Sequence, residues 1–325
     1  MRGLDHLSGL NADKLIGAHG PPFEGKKEIK KIITNYRDSL QFLWDQTVRC
    51  ANKGLTLNET ISTIKLPPHF KDHYTTQQLY GVVEHHVRQI YTGLFGWFDE
   101  DEANLFPIPS PERTQRLIAG FGGKEKVRTI IDEALQKDDY RWAVELSSWL
   151  VRSELNDQGI ADAGELEDRK RLSVALRGIA YSTSAANIRN WCITRALELD
   201  QSLNLSRFRS HRFNKRELER RKGSNSLNLL RVLLIPERAS EIDMNIKISF
   251  DDGETVTYSI RNSIALVSKA KDSDLSISLS KDSWFDVLCG KKTLSELMLE
   301  KTSNTKHEKE IKRFFACFDL QSLMS

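Results

Sequence analysis

From Lys26 onward, apolar residues return at three- and four-residue steps. Ile29, Ile32, Ile33, Tyr36, Leu40, Leu43 and Thr47 share one face, and Gly54 supplies a stop. Thr56 and Glu59 stand at capping-box spacing before a short helix that ends at Leu66-Pro67-Pro68. Leu79, Val82, Val83, His86, Val87, Ile90 and Leu94 form a second long amphipathic face. A proline-bearing loop, Pro107 to Pro111, follows. Helical pattern then runs from Glu112 to Leu135, broken at Gly120 to Gly123, and again over Asp138 to Arg152 and Leu172 to Leu199. Gly159 to Lys170 is polar and acidic and reads as an extended loop. Residues 26–200 are therefore expected to be all-α, with paired helices.

The period changes on either side of this block. Lys14 to Ala18 reads as a short strand, and His19-Gly20-Pro21-Pro22 stops regular structure. That strand shows no nearby hairpin partner, so its partners are expected far away or upstream in a longer chain. After Gly223-Ser224-Asn225, Ile242, Met244, Ile246, Ile248 and Phe250 alternate strictly, with a turn at Asp251-Asp252-Gly253. Val256, Tyr258 and Ile260 alternate on the return, and Ile264 to Val267 and Leu275, Ile277 and Leu279 complete a sheet of about four strands. Helices over Trp284–Leu288, Leu294–Leu299 and Ile311–Phe318 are expected to cover one face, making an α+β domain.

With 325 residues, the chain has room for about two domains. Lys and Arg total 48 against 45 Asp and Glu, a net charge of +3, which gives no electrostatic footprint for nucleic acid or an anionic membrane. The basic run Arg207–Lys222 reads as a solvated linker between domains. The four cysteines, Cys50, Cys192, Cys289 and Cys317, are scattered without metal or redox spacing, which fits a reducing compartment; the expected location is cytoplasmic. No segment is long and apolar enough for a membrane span, and Met1 to His19 is too polar for a signal-peptide core.

A catalytic metal site needs at least three converging His, Asp, Glu or Cys ligands. The eight histidines do not supply one. His69 and His73 have i, i+4 spacing but follow Pro67 and Pro68 with no partnered carboxylate. His86 falls on the apolar face with Val83, Val87 and Ile90 and reads as a core histidine. His85 projects off that face beside Gly81, where a close approach is possible. His19 stands alone in a turn after a strand. Phosphate-cradling glycine loops, a Gly-x-Ser-x-Gly elbow and Cys-x-x-Cys pairs are absent from the sequence.

Leu79-Tyr80-Gly81-Val82-Val83-Glu84-His85-His86-Val87-Arg88, then Tyr91, Gly96-Trp97-Phe98-Asp99 and Ala103-Asn104-Leu105, resembles the dimerisation domain of the alkylsulfatases. These are zinc hydrolases of the metallo-β-lactamase superfamily that cleave linear alkyl sulfates such as dodecyl sulfate. Asp45–Arg49, Ala51–Gly54, Leu66-Pro67-Pro68, Asp138–Ala143 and Ile188–Trp191 fit the same pattern. The resemblance implies three parts: residues 1–25, a remnant of the metallo-β-lactamase αββα fold; residues 26–200, the helical dimerisation domain; and, after a basic linker over 201–222, residues 223–325, a sterol-carrier-like lipid-binding domain. It further implies a homodimer, an alkyl sulfate or other long-chain apolar ligand, His19 as an orphan zinc ligand, and His85 as a sulfate contact. Phe95, Trp97 and Phe98 would lie at a two-fold interface, and Met244, Ile246, Ile248, Leu266 and Leu288 would either line an alkyl-chain tunnel or pack as core. The sequence departs from the family at His19-Gly20-Pro21-Pro22, where alkylsulfatases usually carry His-His-Trp-Pro, and in the inserted stretch Gly159 to Lys170. It also lacks the His-x-His-x-Asp-His cluster, which would belong upstream of Met1. The chain alone is thus expected to be inactive, as part of an alkylsulfatase or as a stand-alone non-catalytic lipid-binding dimer.

Overall fold

The computed structural model describes residues 1–71, 73–157, 159–205, 213–271, 273–299 and 307–324. The chain divides into two compact units, Met1–Leu203 and Asn204–Ser325. The first part of the basic run, residues 207–212, lies outside the described residues.

The first unit opens with helix α1 (Arg2–Gly9), which the sequence pattern did not indicate. The strand expected at Lys14 has a local partner after all. Strand β1 (Lys14–Leu15) pairs antiparallel with β2 (Phe23–Glu24), Lys14 facing Glu24 at 2.9 Å, which corrects the reading that no hairpin partner lies nearby. The ladder is only two residues deep, too short for alternation to register in sequence. The loop between these strands carries His19.

Helix α2 (Lys26–Ala51) buries Ile29, Ile32, Ile33, Leu43 and Thr47 of the face its spacing predicted, and Cys50 with them, whereas Tyr36 is exposed. Helix α3 (Leu57–Thr63) has the full capping box: Glu59 N–H donates to Thr56 Oγ1 at 3.2 Å, and Thr56 N–H donates to Glu59 Oε2 at 2.8 Å. After the single turn α4 (Pro68–Lys71), helix α5 begins at Val83 and runs to Phe95, later than the apolar face predicted. Leu79 and Tyr80 precede it, and the Gln78 side chain accepts the Val83 N–H at 2.8 Å. Val83 and Val87 pack with Leu43, Cys50 and Ile64.

Helices α6 (Ser110–Gly120), α7 (Lys124–Gln136), α8 (Tyr140–Arg152), α9 (Leu166–Ser182) and α10 (Ala186–Leu199) pack on one another in succession. Val127, Ile131, Leu146, Leu150 and Ala175 form one apolar layer; Val151, Leu172, Leu176, Cys192 and Leu199 form the next. Asp168 is 1% exposed and receives a two-pronged guanidinium contact from Arg128, Nε–Oδ1 2.8 Å and Nη2–Oδ2 2.7 Å. Helix α9 starts inside the stretch read as loop.

The second unit contains helices α11 (Lys215–Glu219), α12 (Gly223–Ser226) and α13 (Pro236–Ala239), then strands β3 (Met244–Phe250), β4 (Thr255–Arg261), β5 (Ile264–Lys269) and β6 (Ser276–Leu279), in the order β5-β4-β3-β6. Strands β3, β4 and β5 are antiparallel, and β6 runs parallel to β3 with Ile248 opposite Ile277. Gly253 takes φ +86° in the β3–β4 turn, a conformation open to glycine. Helices α14 (Lys281–Leu288), α15 (Leu294–Leu299) and α16 (Glu308–Phe315) contribute Trp284, Phe285, Leu288, Ile311, Phe314 and Phe315 to the core. Ile246, Ile248 and Leu288 are buried there, with Met244 packed against them. Leu266 is a correction: it pairs with Ser259, whereas Ala265 and Val267 face the core beside Ile260 and Tyr258, so the two-residue period puts Leu266 on the polar face.

Candidate functional site

A cavity of about 1090 Å³ opens in the first unit where two helices begin. Val82, Glu84 and His85 come from the start of α5, and Asp138, Asp139, Tyr140 and Arg141 from the start of α8. The end of α9 closes the wall with Gly178, Tyr181 and Ser182. The positive end of the helix dipole lies at both starts and favours an anion. The acidic side chains here are engaged. The Asp139 carboxylate accepts the Trp142 N–H at 3.3 Å and caps α8. Asp138 accepts the Tyr140 hydroxyl, and that hydrogen bond pushes the tyrosine pKa above its usual value. Glu84 Oε1 accepts from Arg141 Nη2 at 2.9 Å.

The wall under Tyr140 requires a glycine. A Cβ on Gly178 would stand 2.2 Å from Tyr140 Cδ1 and 2.3 Å from Cε1, so the ring lies directly on the α9 backbone. A glycine inside a helical pattern was the available sequence signal for this contact. Glu84, Tyr140 and Arg141 fall within the strings that resemble the family, but nothing in their spacing shows that the two strings meet around one cavity.

The histidines resolve differently from one another. His85 is exposed and lines the cavity. His86 is not the core residue its apolar-face position indicated. It is also exposed, and its ring lies over Gly81, where a Cβ would stand 2.7 Å from Nε2. The close approach at Gly81 therefore belongs to His86 and not to His85. The ring loses part of its hydration against that backbone, which with the neighbouring His85 pushes its pKa down. His69 lies tilted against Phe70 on α4, ring centroids 4.0 Å apart, while His73 lies past the helix and bonds Thr75, so the pair shares no helix face.

His19 is exposed at the tip of the β1–β2 loop and is not among the residues lining the cavity. Among the described residues no group of three or more His, Cys, Asp or Glu could hold a metal ion. The described residues do not fit a zinc site.

A second cavity, about 670 Å³, shares Gln78 and Glu84 with the first and adds Ile64, Lys65, Leu66, Lys71 and Leu79. In the second unit a shallow cavity of about 510 Å³ is bounded by Arg231, Val232, Leu234 and Ile264. Among the described residues no helix is long and apolar enough to cross a membrane.

The first unit is helical with a cavity at two helix starts, and the second is a small mixed-sheet unit. The comparisons agree. Residues 56–202 match the alkyl sulfatase dimerisation family, and residues 222–323 match the alkyl sulfatase C-terminal family. The chain belongs to the alkylsulfatases, as a C-terminal portion. A linear primary-alkylsulfatase from a Pseudomonas species is 32% identical over 98% of this chain and 61% of the relative. An (R)-specific secondary-alkylsulfatase from Pseudomonas is 27% identical over 96% of this chain and 46% of the relative. The solved structure of the stereoselective inverting sec-alkylsulfatase Pisa1 from Pseudomonas shares the fold, with TM-score 0.78 and 24% identity over 98% of this chain and 49% of that one. The chain thus spans about half to three-fifths of the length of these relatives.

Proposed function

We propose that this chain supplies the dimerisation and ester-holding part of an alkylsulfatase-like zinc hydrolase acting on linear alkyl sulfate esters. The observation that carries the reading is His85, exposed on the wall of the cavity at the α5 and α8 starts. There it would meet the anionic sulfate head, helped by the two helix starts. The reading assigns binding to this chain and leaves bond cleavage to other residues, because the described ones do not fit zinc. Incubating the purified chain with zinc and dodecyl sulfate should release no inorganic sulfate. Release above a His19→Ala control would overturn this assignment.

The same reading divides the chain at residues 1–25, 26–200, 201–222 and 223–325, and gives the alkyl tail to the last part. The Val232–Ile264 cavity supports a surface site for that tail, since the aliphatic positions on the core face of the sheet are packed. A homodimer is supported by the dimerisation family match and by apolar exposure after α5. Trp97 is 77% exposed and Phe106 is 88% exposed, with Phe95 and Ile108 also open. Light scattering showing a monomer at micromolar concentration would contradict the dimer.

A further inference from the structure

Arg141 lines the same cavity as His85, yet its guanidinium is already occupied by the residue before His85. The contact is a single one, Nη2 to Glu84 Oε1 at 2.9 Å, joining the first turn of α8 to the first turn of α5. The Arg141 side chain is 80% exposed and that of Glu84 is 38% exposed. An open pair of this kind is weakly held, because water solvates both charges once they part. The other carboxylates of the wall have different commitments: Asp139 caps α8 and Asp138 holds the Tyr140 hydroxyl. Glu84 is thus the lining carboxylate whose partner is a long, solvated cation facing the cavity.

An anion entering here meets three carboxylates and needs a cation released to it. Arg141 can meet that need by a swing of its side chain, with no movement of a helix. Its planar fork presents two N–H groups to two oxygens of an oxyanion, whereas the present contact with Glu84 uses one. We propose that Arg141 is the second anion contact of the His85 cavity, and that Glu84 holds it until an anionic ester displaces the carboxylate. The inference rests on the reading that His85 meets the anionic head. A purely structural brace between α5 and α8 would use the same ion pair, but it makes the opposite forecast for Glu84: removing the charge could only loosen the site.

The test is calorimetric titration of the full chain with octyl sulfate below its micelle concentration, with octanol as the uncharged reference. Arg141→Ala is expected to weaken octyl sulfate binding about tenfold, the usual loss of a charge-assisted hydrogen bond. Arg141→Lys should fall between that variant and wild type. Glu84→Gln should tighten binding about threefold, because the competing carboxylate is gone. Octanol should bind all three as it binds wild type. Glu84→Gln binding no better than wild type, or Arg141→Ala binding as well as wild type, would overturn the inference. His85→Ala separates the two ideas. Weakening confined to His85→Ala leaves the cavity reading standing and ends the role of Arg141; weakening confined to the Arg141 variants does the reverse. A wild-type chain that takes up no octyl sulfate overturns both.

Discussion

Gly178→Ala sets two well-known effects against each other at one position. Gly178 lies inside α9, where replacing glycine by alanine in an exposed helix is worth about 1 kcal/mol in favour of folding. Here the new methyl would stand 2.2–2.5 Å from three atoms of the Tyr140 ring, far inside contact distance. The ring cannot yield as a flexible chain end would, so α9 must retreat from α8 or Tyr140 must leave its seat and give up Asp138. Overpacking of this kind costs about 1–3 kcal/mol. The net expectation is a loss of about 1 kcal/mol, with reshaping of the cavity wall. Urea denaturation followed by tryptophan fluorescence reads the right unit, since Trp44, Trp97, Trp142, Trp149 and Trp191 lie in the first and Trp284 in the second. In a Tyr140→Ala background the clash disappears, and Gly178→Ala should then stabilise by up to about 1 kcal/mol. A stabilised single variant, or the same loss in both backgrounds, would refute the reasoning.

Other outcomes follow from particular contacts. Arg128→Met should destabilise the first unit by about 3 kcal/mol in the same assay, because it leaves the buried Asp168 carboxylate without its two-pronged partner. Ser226→Ala should cost about 1–3 kcal/mol in the second unit, read from Trp284 fluorescence, since the buried Trp284 Nε1–H donates to Ser226 Oγ at 2.8 Å. Asp200 accepts the Ser202 N–H at 3.0 Å and an Arg177 N–H at 2.7 Å, and its pKa falls from 3.8 to about 2, chiefly through the Ser202 hydroxyl. A depressed folded pKa gives stability present above the unfolded value and lost as pH falls through the folded one. The stability gap between wild type and Asp200→Asn should therefore shrink as pH falls from 3.8 to about 2. Phe106→Glu should shift the chain toward monomer by light scattering, with unchanged circular dichroism.

Helices with a continuous apolar stripe, such as α2, and the strictly alternating strand β3 were legible in the sequence, because burial on one face imposes a period. So was the Thr56 cap, a local exchange of two hydrogen bonds. The two-residue ladder of β1 has no period, so its partner β2 cannot be read from the sequence. Leu266 was placed on the wrong face because β5 is apolar at Ile264, Ala265, Leu266 and Val267 in turn, and only its register with β4 decides which residues point inward. His86 shows the same limit at a helix start: its helical position suggested burial, but the side chain turns onto Gly81. The cavity itself depends on α5, α8 and α9 meeting across long stretches of chain. Glu84 and Arg141 are 57 positions apart, and no local pattern records that meeting.

The most direct test of the proposed role is NMR of the imidazole signals of histidine-labelled chain, with His85 assigned by substitution. The His85 signals should shift progressively with octyl sulfate and remain nearly still with octanol at the same concentration. Equal shifts with both compounds, or shifts at other histidines while His85 stays fixed, would contradict a cavity that takes the anionic head of an alkyl sulfate.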